Sequence, residues 1–554
     1  MAKPKISEEE LALDVQAYYD AAGSKSEAAR QRGIPNSTFG DRLIMAENRL
    51  GIKLGKVADG RISTVDHETR KPPRKGHVKR YLLTSIQNNT TLHPGFNNLL
   101  AYRDWLDDLP TGSCELLVGT FSYQKNAYGA KSVKRGSLDP ARNERLWYAP
   151  EAEDYIQDHS IELAPGLIWC GEQNILPTNK NPLTGMDSYN GRSSNIVPHA
   201  KIAMESIASM PDEGTKFNYS TGTMTQRNYI QKRMGIIAEQ SHNYGALLVE
   251  VDSKGSWWVR QLELGHDDSI MDIGPADYQG VYVQLGEVHA EQVVSSWTWA
   301  DYHAAGMDPA VHEMAWGEGG MLDTHRGDTQ FMGDVFSMRS RSPHEEHDFH
   351  RTFVKMVEGE NEVEEEVQLT ADLLSKSMRG WCETIIVQAN HDDHLTRWLN
   401  EADFRKDPPN ARYFCELQAR LLQALEDGDR DFKIMEHALV RADINISNAY
   451  FLGTDESYVI LKDIDGAGIE CALHGHRGPN GARGSTKNLT KLGRKVTKGH
   501  DHKATIDGNV HSVGTCTLNE PYAHGPGSWS VTHSATYRNG SRALLTCWNG
   551  RWRA

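Results

Sequence analysis

Five short motifs rich in acidic, amide and imidazole side chains occur in the second half of the chain. The first three directly follow apolar runs that are typical of buried strands. Because side chains at the C-terminal ends of parallel strands converge on one crevice, this arrangement predicts an α/β fold that gathers the motifs at a single site. In chain order they are Gly286-Glu287-Val288-His289, Gly333-Asp334, Asn390-His391-Asp392, His474-Gly475-His476 and Gly499-His500-Asp501-His502.

These side chains are the ligands that divalent metal ions take from proteins. Two such ions about 3.5–4 Å apart can hold a hydroxide against a phosphorus atom, with one acid bridging the pair. Surface histidines would explain each motif taken alone, but five motifs in this order favour a metal centre. The pattern therefore predicts hydrolysis of phosphate esters by a hydroxide that two metal ions activate.

Residues 280–515 resemble the calcineurin-like metallophosphoesterase superfamily, and within it the SbcD-type nuclease branch. The family signature runs DxH, GDxxD, GNH(D/E), an isolated His and GHxH, and the five motifs follow that order. The resemblance implies a C-terminal four-layer α/β/β/α fold in which two facing sheets are flanked by helices. It also implies a general acid, His391, oriented by Asp392. The metal ligands it implies are Glu287, His289, Asp334, Asn390, His474, His500 and His502.

Within that ligand set the resemblance makes Asp334 the bridging acid and gives Asn390 and His500 to the second metal. His502 then serves the first metal. Residues at i and i+2 of an extended segment point to the same side, so His500 and His502 can serve neighbouring ions.

The chain departs from the signature at its first motif, where Glu287 stands in place of Asp. The longer side chain still reaches a metal ion if the ion or the backbone shifts. Asp323-Thr324-His325 fits DxH literally, but His325 lies only nine residues before Asp334, which leaves no room for an intervening helix. We therefore expect Glu287 and His289 to supply the first pair of ligands. Ser337 and Ala389 are the other departures.

Residues 1–52 have the pattern of an all-α helix-turn-helix module. A first helix with Leu11 inward is followed by a short helix, by Gly33 at the turn, and by a second amphipathic helix over 36–50. Its side chains predicted to face a DNA major groove are Ser37, Thr38 and Arg42. A helical bundle used only for protein contacts is the alternative interpretation.

Residues 53–77 are predicted to be a flexible basic linker. Nine Lys and Arg against three acids between residues 51 and 80 suit contacts with phosphates, although a solvated linker has the same composition. We expect Arg74 and Lys75 to make such contacts there. Arg477, Arg494 and Lys495, near the last two motifs, are expected to bind the DNA backbone beside the metals.

The remaining boundaries complete an α/β multi-domain prediction. Residues 78–275 alternate strand-like and helix-like runs and are expected to form a central α/β domain of unknown role. The metallophosphoesterase domain is placed at 276–520, followed by a basic and aromatic C-terminal tail over 521–554.

The net charge of −15 argues against a protein that coats nucleic acid. The absence of a long apolar run or signal peptide predicts a cytoplasmic protein without a membrane span.

A DNA-reading module beside a two-metal centre favours a DNA nuclease. The arrangement resembles phage-encoded proteins that join a helix-turn-helix to a metallophosphoesterase, and more distantly the first-step-transfer DNases of T5-type coliphages. That resemblance implies Mn²⁺ as the metal, with Mg²⁺, Fe²⁺ or Zn²⁺ as alternatives. It also implies a homo-oligomer, a second phage protein as a further partner, and host DNA degradation in the host cytoplasm. Two alternatives remain, a DNA-binding regulator with a degenerate site and a phosphodiesterase of small nucleotides.

Overall fold

The computed structural model describes residues 6–21, 25–50, 68–123, 147–210, 213–343, 345, 348–517 and 524–554. The helices are α1 (Glu8–Asp20), α2 (Lys25–Gln31), α3 (Asn36–Leu50), α4 (Gly95–Asp107), α5 (Pro150–Glu153), α6 (Arg233–Gln240), α7 (Pro309–Trp316), α8 (Met321–Thr324), α9 (Phe349–Glu358), α10 (Val363–Ser377), α11 (Asp393–Glu401), α12 (Ala411–Glu426), α13 (Ile434–Ala442), α14 (Lys462–Asp465) and α15 (Thr486–Leu489).

The strands alternate with these helices along the chain, so the fold is mixed α/β. They are β1 (Glu68–Thr69), β2 (Val78–Gln87), β3 (Gly112–Phe121), β4 (Ser160–Ala164), β5 (Leu167–Cys170), β6 (Ser194–Val197), β7 (His199–Ile207), β8 (Lys216–Gly222), β9 (Gly245–Val251), β10 (Trp257–Glu263), β11 (Ile270–Asp272), β12 (Val281–Gln284), β13 (Glu287–Ala290), β14 (Val294–Thr298), β15 (Thr329–Met332), β16 (Glu383–Ile386), β17 (Tyr450–Phe451), β18 (Val459–Ile460), β19 (Ile469–Glu470), β20 (Lys495–Lys498), β21 (Thr505–Asp507), β22 (Val510–Ser512), β23 (Thr532–Tyr537) and β24 (Arg542–Thr546).

The chain divides into two compact units, one formed by Met1–Asp66 with Ser188–Gly191 and the other by the rest. In the smaller unit, α1, α2 and α3 form where the sequence predicts helices. Leu11, Phe39 and Leu43 are buried between them because they recur on one face of their helices. The part of the linker at 53–67 lies outside the described residues.

Arg42 of α3 turns inward, so the prediction that it faces a DNA groove is wrong. Its Nε donates to Asp14 Oδ2 at 2.6 Å, and Asp14 also accepts from Arg32 at 2.8 Å. Asp14 is fully buried, and a buried carboxylate requires paired cations. Ser37 and Thr38 are exposed, and their contact with DNA stays a prediction.

A six-stranded sheet in the larger unit has the order β17-β16-β15-β14-β23-β24. Strands β14 to β17 run parallel, whereas β23 pairs antiparallel with β14 and β24 with β23. Helices α7 and α10 to α13 cover one face through a core that includes Trp297, Met332 and Ile386. On the opposite face, Phe331 and Ile385 pack against Ile469 and Cys471. The C-terminal ends of β14, β15 and β16 therefore meet at one edge between two layers.

The strands facing that edge belong to an 11-stranded sheet of order β1-β4-β5-β6-β8-β7-β21-β22-β20-β19-β18. This sheet joins β4 to β8 with β18 to β22, so it crosses the boundary that the sequence predicted near 275. The expected central domain is not separate, because residues on both sides share one sheet and one compact unit.

The segment expected to be a C-terminal tail forms part of the fold. β23 and β24 fill the edge of the six-stranded sheet, and Leu544 packs in the core beneath β10. Arg542 is buried and donates to the Val496 carbonyl at 2.7 Å, so this arginine is structural. In the described part of the chain, none of the helices is both long and apolar enough to cross a bilayer.

Candidate metal centre

The first pair of potential ligands is Asp301 and His303, which follow β14. The chain leaves the strand and is held beside the next one by hydrogen bonds from Tyr302 N to Gly333 O (3.0 Å) and from His303 N to Asp334 O (2.8 Å). Both side chains are almost fully buried. Because β14 lies next to β15 in the sheet, Asp301 and His303 lie beside Asp334, which follows β15.

Asp334 follows β15 at the centre of the site. Its Oδ2 lies 3.0 Å from His474 Nε2 and 3.7 Å from His303 Nε2, and its Oδ1 accepts from the His391 amide at 3.2 Å. Asp334 is 1% exposed, so these contacts take the place of hydration.

The facing sheet supplies the remaining imidazoles. His474 follows β19, and His500 and His502 follow β20, which is the parallel neighbour of β19. His502 Nε2 lies 3.0 Å from His303 Nε2 and 3.4 Å from an oxygen of Asp301. The parallel pairing thus brings motifs separated by many residues to one point.

These side chains form two donor groups that share Asp334. One contains Asp301, His303, Asp334 and His502, and the other contains Asp334, His474 and His500, with all donor atoms of a group within 4.8 Å of one another. Nitrogen and oxygen ligands bind zinc-like ions at about 2.0–2.2 Å, so two ligands of one ion lie roughly 3–4 Å apart. The observed separations match that spacing.

Unpaired polar atoms at the same place also fit a bound cation. Asn390 Oδ1 is buried and accepts no hydrogen bond, and Asp334 Oδ2 and His474 Nε2, which lie 3.0 Å apart, have no hydrogen bond beyond this mutual contact. Buried polar groups are normally satisfied, so the unsatisfied amide oxygen beside a carboxylate and an imidazole that have only each other fits a further, cationic partner. The residues present therefore fit a metal ion.

Four of the potential ligands have strained backbone conformations. His303, Asp334, His500 and His502 all have positive φ, from 46° to 74°. Such conformations cost non-glycine residues about 1–3 kcal/mol each and cluster at functional sites. The fold maintains these four conformations because they direct the side chains into the cluster.

Two glycines allow the close approach of the ligands. A Cβ on Gly499 would lie 2.0 Å from Asp301 Oδ1, and one on Gly333 would lie 2.8 Å from His474 Nδ1. The glycine of each motif is thus explained by the packing of the neighbouring ligand, because any side chain would displace it.

Glu287 and His289 do not belong to the cluster, which corrects the sequence expectation. They lie on β13, which pairs antiparallel with β12 in a three-stranded sheet, and both are exposed. A two-residue turn at Leu285 and Gly286, both with positive φ, folds the strand back on itself. Glu287 and His289 therefore lie on the second strand of a β-hairpin and do not follow the C-terminal end of a parallel strand.

The literal DxH at 323–325 is also outside the cluster. Asp323 accepts from Arg379 at 2.8 Å, and His325 Nδ1 lies 2.8 Å from Gln279 O. The signal that could have identified the observed pair is Asp301-Tyr302-His303, two residues after β14, whose sequence Val-Ser-Ser-Trp-Thr is only partly apolar. It is a literal DxH with enough chain before Asp334 for α7 and α8.

His391 lines the site but is not held by Asp392. Its Nδ1 lies 3.1 Å from Ser337 O, and because a carbonyl only accepts, Nδ1 carries the proton. The other ring nitrogen is then the one available to a ligand. Asp392 Oδ1 instead accepts from Phe336 N at 3.2 Å, so its expected role in orienting the imidazole is wrong.

The predicted basic residues differ in position. Arg477 pairs with Asp393 at 3.1 Å, and Arg74 and Lys75 are exposed in a turn before β2. Arg494 and Lys495 contact the carbonyls of Ala467 and Gly540 at the start of β20, whereas the ligands follow its end. At about 3.3 Å per residue of extended chain, the α-carbons of Arg494 and Lys495 lie at most roughly 20 and 16 Å from that of His500. Neither residue lines the pocket around the cluster.

Arg339 and Arg483 are two further cations at the site. Arg483 belongs to the basic stretch between the last two motifs, which the sequence indicates for phosphate binding, whereas Arg339 was not predicted. Both line a pocket of about 480 Å³ that opens onto His303, Asp334, Asn390, His391, His500 and His502. Arg483 is mostly exposed and pairs with Asp501 at 2.9 Å. An anion entering the pocket would therefore meet two guanidinium groups.

Charges inside the cluster shift several pKa values. Burial alone would lower the pKa of His474, but the attraction of Asp334 and Asp301 outweighs it and raises that pKa to about 9. Burial raises the pKa of the Asp301 carboxyl. A proton thus neutralises part of the negative charge where a divalent cation would bind, so metal binding would displace protons.

No family model matches the chain. It is similar to Protein A1 of Escherichia phage T5, with 34% identity over 492 residues that cover 86% of this chain and 83% of the relative. The match extends over most of both proteins. The chain therefore belongs to the family of the phage T5 Protein A1.

Proposed function

We propose that this protein is a phage-encoded, divalent-metal-dependent phosphodiesterase that cleaves DNA. The observation that carries the proposal is the membership of Asp334 in two donor groups. A carboxylate shared between adjacent sites is the arrangement that two-metal hydrolases use. The order of the motifs supports a centre of the calcineurin-like metallophosphoesterase type.

The fold supports the same assignment. Helices cover one face of the six-stranded sheet, and the strands around β19 cover the other. This packing is compatible with the α/β/β/α layering that the sequence resemblance implies, with the donor groups at the edge between the sheets.

The donor chemistry favours a transition metal. Asp301, His303, Asp334 and His502 would hold one ion, and Asp334, His474 and His500 the other, with Asn390 adding an amide oxygen. Imidazole suits Zn and Fe, whereas carboxylate and carbonyl oxygens suit Mn and Mg, so this mixed set fits Mn²⁺ better than Mg²⁺. When bound, the two ions supply Lewis acidity and activation of the attacking water.

The protein's own groups would position the phosphate and manage the proton. Arg339 and Arg483 line the pocket and would bind the phosphate oxygens. His391, with Nδ1 held by Ser337 O, would present Nε2 to the leaving oxygen and protonate it.

DNA as the substrate rests on the helices of the smaller unit and on the relative. Ser37 and Thr38 are exposed at the start of α3, as a helix-turn-helix reading helix requires. The exposed Arg74 and Lys75 would contact phosphates. The similar protein is encoded by a phage, which agrees with a role in DNA processing or host DNA degradation. The homo-oligomer and a second phage protein remain predictions.

The proposal is tested on the full-length protein dialysed against chelator and reloaded with Mn²⁺. Activity is measured on plasmid, single-stranded DNA and a chromogenic diester, and bound metal is measured by mass spectrometry. We expect metal-dependent cleavage of DNA, lost in Asp334→Asn and kept in Asp328→Asn. Asp328 is an exposed carboxylate on the approach to β15 and is the matched control.

Two outcomes would replace the proposal. Hydrolysis of the diester and of small nucleotides without cleavage of DNA would identify a small-nucleotide phosphodiesterase. DNA binding without retained metal or hydrolysis would identify a regulator with a degenerate site. Glu in place of Asp at position 287 does not argue for a degenerate site under this proposal, because Asp301 would take the first ligand position.

A further inference from the structure

A second groove adjoins the metal pocket and has different chemistry. It encloses about 960 Å³, which is at the upper end of the roughly 300–1,000 Å³ of ligand pockets. Trp529 lines both the groove and the metal pocket. Its ring lies 4.4 Å from the ring of His502 at an angle of 74°, so one face of the cluster and one wall of the groove meet at this indole.

The walls of the groove are apolar and aromatic. Met210, Val311 and Met314 contribute aliphatic surface, and Trp548 stands edge-on to Phe217 and Trp257, with centroids 5.9 and 6.1 Å away. These contacts fix the Trp548 ring in place. An aromatic side chain held by its neighbours, in a groove that methionine also lines, suits a flat, aromatic ligand.

Hydrogen-bonding groups line the groove, whereas none of its lining residues in the described part of the chain is a lysine or arginine. Ser209, Thr215 and Asn549 lie among its walls, and its titratable members there are Asp308, His524 and Cys547. The metal pocket, in contrast, carries Arg339 and Arg483. Phosphates therefore favour the metal pocket, and a neutral group with donor and acceptor edges favours the groove.

We infer that the groove receives an unpaired nucleobase next to the phosphate held at the metal pocket, so that the substrate is single-stranded or locally unpaired DNA. This inference rests on the proposed function, because the phosphate position is that of the donor groups. A base reaches the groove only when it is released from its partner strand. Stacking on an aromatic side chain is tolerant of sequence, so the groove would select unpaired DNA without selecting a base.

The test uses the full-length Mn²⁺ protein and a single-stranded oligonucleotide with an abasic residue placed at each position in turn. Stacking on an aromatic side chain corresponds to a factor of about 5–150 in affinity. We expect KM to rise by a factor in that range when the abasic residue flanks the cleaved bond. Elsewhere in the strand it should leave KM unchanged, and the same sequence as a closed duplex should be a poor substrate.

Two variants connect the effect to the groove. In Trp529→Ala, KM for the intact strand should rise, and the abasic residue should have no further effect. Met210→Ala, in a wall away from the cluster, should show part of the same loss. Trp381→Ala is the matched control, since this partly exposed indole contacts Arg326 outside the groove. Metal content is measured in each variant because Trp529 contacts His502.

A strand that is cleaved with the same KM whichever position is abasic would overturn the inference and leave the proposed nuclease intact. An unaltered KM in Trp529→Ala with full metal content would overturn it as well. Failure to cleave any DNA while the diester is hydrolysed would overturn both the inference and the DNA substrate.

Discussion

The Nε2 atoms of His303 and His502 lie 3.0 Å apart in the interior of the protein, although 199 residues separate the two histidines in sequence. Burial lowers the pKa of both rings, that of His502 to about 4, so an imidazolium is not favoured there at neutral pH. Two neutral imidazoles directed at one point beside Asp301 and Asp334 are typical of a shared cation.

Asp301→Asn and His303→Ala should each lose metal from the first donor group, because they remove a donor that has no substitute nearby. Glu287→Gln and His289→Ala are the matched controls and should keep the wild-type metal content, since both residues are exposed on β13. Metal per chain after dialysis, measured by mass spectrometry, distinguishes the two pairs. Metal loss in the Glu287 and His289 variants alone would show that the first site has been placed wrongly.

His391→Ala should keep its metals and cleave DNA about 10²–10⁴ times more slowly, because the leaving oxygen loses its proton donor. A nitrophenyl diester, whose leaving group needs no proton, should be affected less. Asp392→Asn should be much milder on both substrates, because Asp392 bonds Phe336 N and not the imidazole. Equal losses in the two variants on DNA would restore the orienting role of Asp392.

Asp272→Asn should lower the free energy of unfolding by about 3–5 kcal/mol, because it leaves the buried Arg260 with only Glu250 as a charged partner. Chemical denaturation at neutral pH measures this change. Asp328→Asn, on an exposed carboxylate, should have little effect. A loss below about 1 kcal/mol would mean that the buried Arg260 does not require the negative charge of Asp272.

The shifted pKa of Asp272 leads us to expect that the stability of the protein depends on pH. Burial alone would raise the pKa of Asp272, but Arg260 outweighs burial and lowers it. A lowered folded-state pKa stabilises the protein at pH values above the unfolded value of about 3.9. That stability is lost as pH falls through the folded-state pKa. Wild type should therefore lose more stability than Asp272→Asn when unfolding is followed from neutral pH to below about pH 4.

Deletion of residues 1–66 should weaken binding to duplex DNA and flatten its salt dependence, because it removes the three helices together with Lys53, Lys56 and Arg61 of the basic run. Residues 67–77 are retained, since Glu68 and Thr69 pair with β4 and Arg70 bonds Glu115 at 3.0 Å. Diester hydrolysis should continue. Fluorescence anisotropy over a salt series gives the slope, and an unchanged slope would make the helices a protein-contact module.

Ser37→Ala with Thr38→Ala should weaken DNA binding without changing the melting of the smaller unit, because both side chains are exposed. Arg42→Ala should instead destabilise that unit, because Asp14 keeps only Arg32 as a cation. Binding and melting curves of the two variants check this. Wild-type stability in Arg42→Ala would show that the ion pair contributes nothing.

The sequence by itself determined those features that depend on neighbouring residues. Apolar runs before Asp334 and Asn390 predicted β15 and β16, and the helical spacing of α1 and α3 placed Leu11 and Phe39 inside. The motifs around His474, His500 and His502 were found by order alone, and the structure brings all three to the cluster. For the strands and for the buried faces of α1 and α3, local periodicity is sufficient because side-chain direction follows from the secondary structure.

Only the tertiary structure decided which strand supplies the first ligands. Both Val281–Gln284 and Val294–Thr298 are short strands followed by an acid and a histidine, and the first is the more apolar of the two in sequence. β12 turns back into a hairpin, whereas β14 pairs parallel with β15, and that choice depends on long-range pairing. Arg42 turns inward because it pairs with Asp14, which lies on another helix. β23 likewise joins the sheet by pairing with β14, which is distant in sequence.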